Sequence, residues 1–164
     1  MEIWNAYQAD GQITEQTLVR GQTIPEGLYH LVVECIIRHR DGSILFTRRS
    51  RNKASYPHYY EATAGGSALL GEGAEQAIIR EIFEETGIIV SANQLQLHTR
   101  FVAHDDQCIF RCYWVEIDWD KPNVQLQVGE TSEFIWIKPE KLSDFLESEQ
   151  VIPRQKEYVR NLFL

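Results

Sequence analysis

The sequence predicts an α/β domain in which a mixed β-sheet is covered by helices on both sides. Three observations predict it. Apolar, β-branched runs at Leu28–Arg38 and at 94–118 read as strands. Between them, Ala74, Ala77, Ile78 and Ile82 recur at helical spacing. Two further helical stretches then close the chain, so strands precede, interrupt and follow helices.

The elements follow in order. Met1–Tyr7 and Gln12–Val19 flank Asp10-Gly11, a tight-turn dipeptide, and predict a short hairpin that makes up an extension over residues 1–27. Leu28–Arg38 is a buried strand; Asp41-Gly42 turns it into a partner, Ser43–Thr47. Arg48–Tyr59 is polar, aromatic and irregular, hence a loop. Glu61–Ala64 is a short extended piece ending in Gly65-Gly66. Gly73–Thr86 is the clearest helix; Gly87 ends it, and Gly73 is a weaker start than Ser, Thr or Asp by a few tenths of a kcal/mol. Gln94–Ala103 and Cys108–Asp118 are long strands joined at Asp105-Asp106, and Glu133–Ile137 is another. Pro139–Leu146 and Arg154–Phe163 are helices within the closing segment 139–164, the first opened by a Pro-Glu pair suited to a first turn.

A chain of 164 residues that is 43% hydrophobic and 24% charged suits one domain, 1–164, with a real core. Its net charge of −8 opposes broad nucleic-acid binding, which needs basic patches. A phosphorylated small molecule is still compatible, given local Arg or Lys side chains or a bound cation. Cys35, Cys108 and Cys112 are too few for a disulfide framework and point to a reducing compartment. The N-terminus lacks a basic-then-apolar signal pattern, and no apolar run approaches the ~20 residues of a membrane helix. The expectation is a cytoplasmic, soluble protein without a membrane partner.

The chemistry concentrates in GGSALLGEGAEQAIIREIFEETGI, residues 65–88. Glu81, Glu84 and Glu85 stand at i, i+3 and i+4, so their carboxylates share one helix face with Cβ atoms ~5–6 Å apart. They lie in the last two turns, where the helix dipole disfavours anions. Local rules are broken three times in one place, as happens at functional sites. A Glu-rich helix face alone is ordinarily just solvated. Here a hard divalent cation resolves the conflict: Mg²⁺ takes oxygen ligands and bridges to substrate phosphates.

The wider pattern is Gly66, five residues, Glu72, seven residues, then Arg80-Glu81-Ile82-Phe83-Glu84-Glu85-Thr86-Gly87-Ile88. It resembles the box of the Nudix hydrolases without a mismatch over residues 66–88. The resemblance implies an α/β/α sandwich with a mixed sheet, and hydrolysis of a diphosphate linkage in a nucleoside diphosphate derivative or related diphosphate. It implies Mg²⁺, or Mn²⁺, on Glu81, Glu84 and Glu85, with Glu72 supporting and Arg80 holding carboxylates by charge-assisted hydrogen bonds. Glu81 is a candidate general base. Glu130, in VGETSEFIW, is a candidate carboxylate from outside the box; Asp105 and Asp106 are weaker, since Asp favours plain turns. Gly65 and Gly66 border the substrate's approach. Arg48, Arg49, Arg51 and Lys53 are candidate phosphate contacts, against the alternative of a solvated basic loop. Tyr59 or Tyr60 is placed to stack on a ring, although core packing is the commoner fate. Family habit also makes the N-terminal hairpin a candidate for pairing strands across a homodimer.

LFTRRSRNKASYP narrows the resemblance to the subgroup nearest isopentenyl diphosphate isomerase. That enzyme needs a cysteine and a metal-binding histidine where this chain has Gly65 and Ser67, so isomerase chemistry is the disfavoured rival. A non-catalytic domain that senses a nucleotide-like ligand is the other; such domains often lose box glutamates, and none is lost here. A zinc site at His104, Cys108 and Cys112 lacks a second ligand pair, and the two cysteines would sit ~13 Å apart along a strand. His30 and His39 read as strand residues, with His30 also a candidate to face the site by resemblance to the subgroup. No P-loop motif is present.

Overall fold

The computed structural model describes residues 1–164. Strands β1 (Ile3–Tyr7) and β2 (Ile13–Val19) form the antiparallel N-terminal hairpin. Its turn uses Gly11 at φ 88°, and Asp10 Oδ1 accepts the Gln12 N–H at 2.9 Å. The hairpin is anchored: Trp4, Ala6 and Leu18 bury themselves with Leu28 against Ile24 and Leu69. The Leu70 N–H donates to the Ile3 carbonyl at 2.8 Å, which ties the hairpin to the loop entering the box helix.

The main sheet contains β3 (His30–His39), β4 (Ile44–Arg49), β5 (Tyr60–Glu61), β6 (Thr63–Ser67), β7 (Leu95–Ala103), β8 (Cys108–Ile117) and β9 (Thr131–Ile137). It is mixed. β3 runs parallel to β8 from His30↔Cys108 to His39↔Ile117, and every other pairing is antiparallel. β3 is central and covered on both faces, which explains its near-continuous apolar run. Its side chains alternate. Leu31, Val33, Cys35 and Ile37 join one core, and Ile36 the other.

Three helices complete the sandwich. α1 (Ala74–Thr86) lays Ala77, Ile78 and Ile82 on the first core. α2 (Pro139–Ser148) and α3 (Pro153–Phe163) lay Leu142, Leu146 and Val159 on the opposite face, against Ile36, Ile44, Phe46 and Ile137. α1 begins at Ala74, with the Gln76 side chain accepting the Gly73 N–H at 3.0 Å. It stops at Gly87, whose φ of 73° lets its N–H reach back to the Phe83 carbonyl at 2.8 Å.

Two boundaries differ from expectation. Arg48 and Arg49 continue β4 instead of opening the loop, because their backbones pair with Tyr60 and with Glu133 and Thr131 while the charged heads extend outward. β9 begins at Thr131 for the same reason. No helix is long and apolar enough to cross a membrane, and all three cysteines are free.

One topological detail positions the site. β3 meets β4 at the single pair Arg38↔Ile44, then pairs with β6 from Ile36↔Thr63 to Val32↔Ser67. The sheet splits there. The far edge of β6 has no strand partner, and Glu85 of α1 and Arg154 and Gln155 of α3 line one cavity there.

Candidate active site

Two glycines at the split set the geometry. A Cβ on Gly65 would overlap the Val33 carbonyl oxygen and come within 2.9 Å of Glu34 Cα, so only glycine allows β6 this close to β3. A Cβ on Gly66 would meet Glu81 Oε1 at 2.6 Å and Cδ at 2.8 Å, so the Glu81 carboxylate lies directly on the Gly66 backbone. Glu85 Oε2 accepts the Gly65 N–H at 3.2 Å, on the strand edge that no neighbour uses.

Arg80 organises the other carboxylates. Its Nε and Nη2 bind Glu72 at 2.7 and 2.9 Å, Nη1 binds Glu81 at 2.8 Å and Glu84 at 3.1 Å, and Nη2 also reaches the Ser67 carbonyl at 3.2 Å. One guanidinium thus offsets part of the repulsion among the glutamates and clamps the helix to β6. Arg80 holds the Glu72 carboxyl below its ordinary range, whereas burial pushes Glu81 up against the pull of Arg80.

Glu85 receives no cation. Burial, then Glu61, then Glu81 push its carboxyl well above the ordinary range, with the Gly65 N–H opposing and Glu130 adding to the rise. It lines a cavity of 370 Å³ together with Glu61, Glu130, Gly65, Gly66, Arg49 and Lys53. Three of the 17 lining residues are hydrophobic, so the cavity suits a charged guest and offers no bed for an apolar tail. Arg49 pairs with Glu61, and Lys53 with Glu130. Thr131 Oγ1, the one buried side-chain polar atom without a partner, lies on the same wall. Carboxylates facing one polar cavity, with half-buried Glu85 unpaired with any cation, are oxygen donors of the kind a hard divalent ion takes, although no three of them converge to metal-binding distance while Arg80 holds Glu81 and Glu84.

The predicted residues therefore divide. Glu85, Glu130, Arg49, Lys53, Gly65 and Gly66 line the cavity. Glu81 borders it through Gly66. Glu84 is exposed and turned to Arg80, and Glu72 lies behind Arg80, in a supporting place. Arg48 lies outside the cavity: it pairs with Glu133 at 3.0 Å and sits 5.2 Å from the Tyr60 ring centroid. Tyr60 packs on Phe145, and Asp105 and Asp106 form an exposed turn. Burial pushes the Cys108 thiol up to about 11, and burial with Glu34 pushes Cys112 up to about 12; zinc needs thiolates.

Sequence reading missed Glu61, Glu34 and Arg154, all on the cavity wall. Glu61 was legible as an acid beside the glycine pair. Nothing local marks Glu34, an acid inside an apolar strand, as the partner of an arginine 120 residues away.

Fold and site together define an α/β/α enzyme domain whose carboxylate-bearing helix clamps a glycine strand at the mouth of a polar cavity. The model of the NUDIX domain matches residues 28–162; the chain belongs to the Nudix family and is a Nudix pyrophosphohydrolase by class. It is 29% identical over 153 residues to the uncharacterized Nudix hydrolase lin0387 of Listeria innocua, covering 93% of this chain and 89% of that protein. It is 32% identical over 121 residues to an isopentenyl-diphosphate Delta-isomerase of Leifsonia xyli, covering 69% of this chain and 64% of that protein. The solved structure of DR0079 from Deinococcus radiodurans shares the fold, with a TM-score of 0.74 at 20% identity over 99% of this chain and 100% of that one. Likeness to hydrolases and isomerases at once agrees with the subgroup read from LFTRRSRNKASYP.

Proposed function

We propose that this protein hydrolyses a diphosphate linkage in a nucleoside diphosphate derivative or related diphosphate, with Mg²⁺, or Mn²⁺, held by Glu81, Glu84 and Glu85. The observation that carries the reading is Glu85: a half-buried carboxylate facing a polar cavity, anchored by one backbone N–H and given no cation by the protein. The cation supplies charge neutralisation of the diphosphate and acidification of a bound water. The chain's own residues do the rest. Arg80 fixes Glu81 against Gly66, and Glu81 or Glu130 takes the proton of the attacking water. Water oxygen bonds to one phosphorus, the bridging P–O bond breaks, and the leaving phosphate departs along the wall that carries Arg49 and Lys53, whose pairings with Glu61 and Glu130 must exchange for it to bind there.

Isomerase chemistry is the rival that the likeness to isomerases raises. The crowding at Gly65 leaves no room for a cysteine side chain, and the polar cavity offers no seat for a prenyl tail. A panel of nucleoside diphosphate derivatives and isopentenyl diphosphate, assayed with Mg²⁺ for phosphate-containing products and for double-bond migration, tests the reading. Phosphate release that is lost in Glu84→Gln and Glu85→Gln supports it; a fully active Glu84→Gln or Glu85→Gln enzyme, or isomerisation without phosphate release, overturns it.

A further inference from the structure

The cavity has a second polar end that the metal-site carboxylates do not explain. Its wall there is Arg154, at the start of α3, set over Glu34 of β3. Glu34 is 7% exposed, and both its oxygens bind Arg154, Oε1 to Nη2 and Oε2 to Nη1, each at 2.7 Å. Arg154 Nη1 also donates to the Tyr158 hydroxyl at 3.0 Å, and the guanidinium lies 4.4 Å from the Phe110 ring centroid. The head group is thus held on one edge, at one corner and over an aromatic ring.

Glu34 is buried but the Arg154 side chain is 38% exposed, so an ion pair of this kind adds little net stability: the desolvation of Glu34 and solvent screening at Arg154 offset much of the attraction. What it does provide is a rigidly placed cation. Arginine has five N–H donors, and Glu34 and Tyr158 take three. The Nε–H and the second Nη2–H make no protein hydrogen bond. They form the free side fork of the guanidinium, the geometry that matches two oxygens of a phosphate or carboxylate. Arg49, also on the cavity wall, differs. Its Nε binds the Ser55 carbonyl at 3.0 Å, Nη2 meets Ser55 Oγ at 3.4 Å and Nη1 pairs with Glu61, so that fork is filled. Lys53 is committed to Glu130.

The register gives the spacing. Glu34 stands directly opposite Gly65, and the Gly65 N–H is the anchor of Glu85. The Arg154 pair and the metal-site carboxylate therefore sit across one strand-to-strand step, ~4.8 Å, plus the reach of two side chains. One small molecule spans that distance.

We propose that Arg154, positioned by Glu34 and Tyr158, is a specificity-determining residue that receives a third anionic group on the substrate, beyond the two phosphates at the metal end. The preferred substrates are then diphosphate esters that carry a further phosphate or carboxylate. The assignment rests on the hydrolytic reading of the metal end but not on turnover, so it is tested by binding.

Inorganic diphosphate and inorganic triphosphate are titrated by calorimetry into the full chain with Ca²⁺ in place of Mg²⁺. Wild type, Arg154→Lys and Tyr158→Phe are compared, together with the double variant Glu34→Gln/Arg154→Gln. The double variant avoids leaving the buried Glu34 charge bare, which would endanger folding. The expected result is that the triphosphate-to-diphosphate affinity ratio falls about tenfold or more in Arg154→Lys and in the double variant, as loss of a charge-assisted fork implies. Diphosphate affinity stays within about twofold, and Tyr158→Phe keeps most of the ratio. An unchanged ratio in folded Arg154→Lys and double variants, with melting temperature alone lowered, makes the pair purely structural and overturns the proposal. Adding a terminal-carboxylate diphosphate ester to the series separates a phosphate preference from a carboxylate preference. If the wild type hydrolyses no diphosphate ester, the function proposed above fails while the affinity ratio still reports on Arg154. An unchanged ratio in an active hydrolase sinks the Arg154 assignment alone.

Discussion

Gly65 and Gly66 are neighbours in sequence, yet alanine at each should fail in a different way. At Gly66 the new methyl meets Glu81 Oε1 at 2.6 Å. An ordinary contact is about 3.4 Å, so the carboxylate must retreat by the difference, about 0.8 Å. The obstacle is the end of a flexible side chain, and the fold can yield there for less than about 1 kcal/mol, or a fall in Tm within about 4 °C for a chain this size. Catalysis cannot yield as cheaply, because a 1 Å misplacement of a reacting group costs on the order of 10²-fold. Gly66→Ala should therefore stay folded and lose on the order of 10- to 100-fold in kcat. At Gly65 the obstacles are the Val33 carbonyl and Glu34 Cα, both backbone of the central strand. Gly65→Ala must push β6 off β3, an overpacking cost of about 1–3 kcal/mol or more, with Tm falling by roughly 2–12 °C. Thermal melts by circular dichroism and single-substrate kinetics, on a diphosphate ester the wild type cleaves, separate the two. A Gly66→Ala protein with wild-type kcat, or a Gly65→Ala protein as stable as wild type, would refute the reasoning.

Further outcomes follow from the same site and its supports. In metal-free buffer Glu85 ionises in the unfolded chain near 4.5 but later in the folded one, so the folded state holds a proton that the unfolded state has released. Stability should fall as pH rises from about 4.5 toward the folded value, and Glu85→Gln, which keeps an acceptor for Gly65, should flatten the fall and raise Tm near neutrality; a steeper fall in Glu85→Gln would contradict this. Mg²⁺ at about 100 times its Kd should stabilise by about 2.7 kcal/mol, roughly 5–10 °C in Tm, read by differential scanning fluorimetry, and should not stabilise Glu85→Gln equally. Arg80→Lys keeps the charge but loses the fork shared by Glu72, Glu81 and Glu84, so kcat should drop at least tenfold; an unchanged kcat would make Arg80 dispensable. Phe46→Ala, in the core under α2 and α3, should cost about 3–5 kcal/mol by urea unfolding; a cost under 1 kcal/mol would mean that core collapses freely.

Local sequence carried the helices well because periodicity and terminators lie within a few residues of one another. Ala77, Ile78 and Ile82 face the core as their spacing requires, and Gly87 takes the left-handed conformation that ends α1. Strand limits were less legible. Charged Arg48 and Arg49 look like loop, yet their backbones have partners on β5 and β9, and only those distant partners make them strand. A shared helix face also suggested a common metal-binding role for Glu81, Glu84 and Glu85, with Glu81 a candidate base besides. The structure separates them: Glu84 is exposed toward Arg80, while Glu85 is turned into the cavity.

By itself the sequence placed three carboxylates and an arginine at fixed intervals on one helix, a geometry stated within four turns, and its resemblance to the Nudix box implied the class of chemistry. Why Gly65-Gly66 precedes that helix emerged only from the structure, where their backbones approach β3 and Glu81 closely. Tertiary structure alone brought Glu34 and Arg154 into the cavity with Glu85, and it confirmed no local pattern behind the other acids there. Glu34, Glu61, Glu130 and Arg154 come from four separate segments, and no periodicity links them. They meet because β3 leaves β4 for β6, opening a gap that side chains from both faces of the sheet can enter. Pairing across that distance is set by strand register and core packing, which act through space and leave no local mark on the chain.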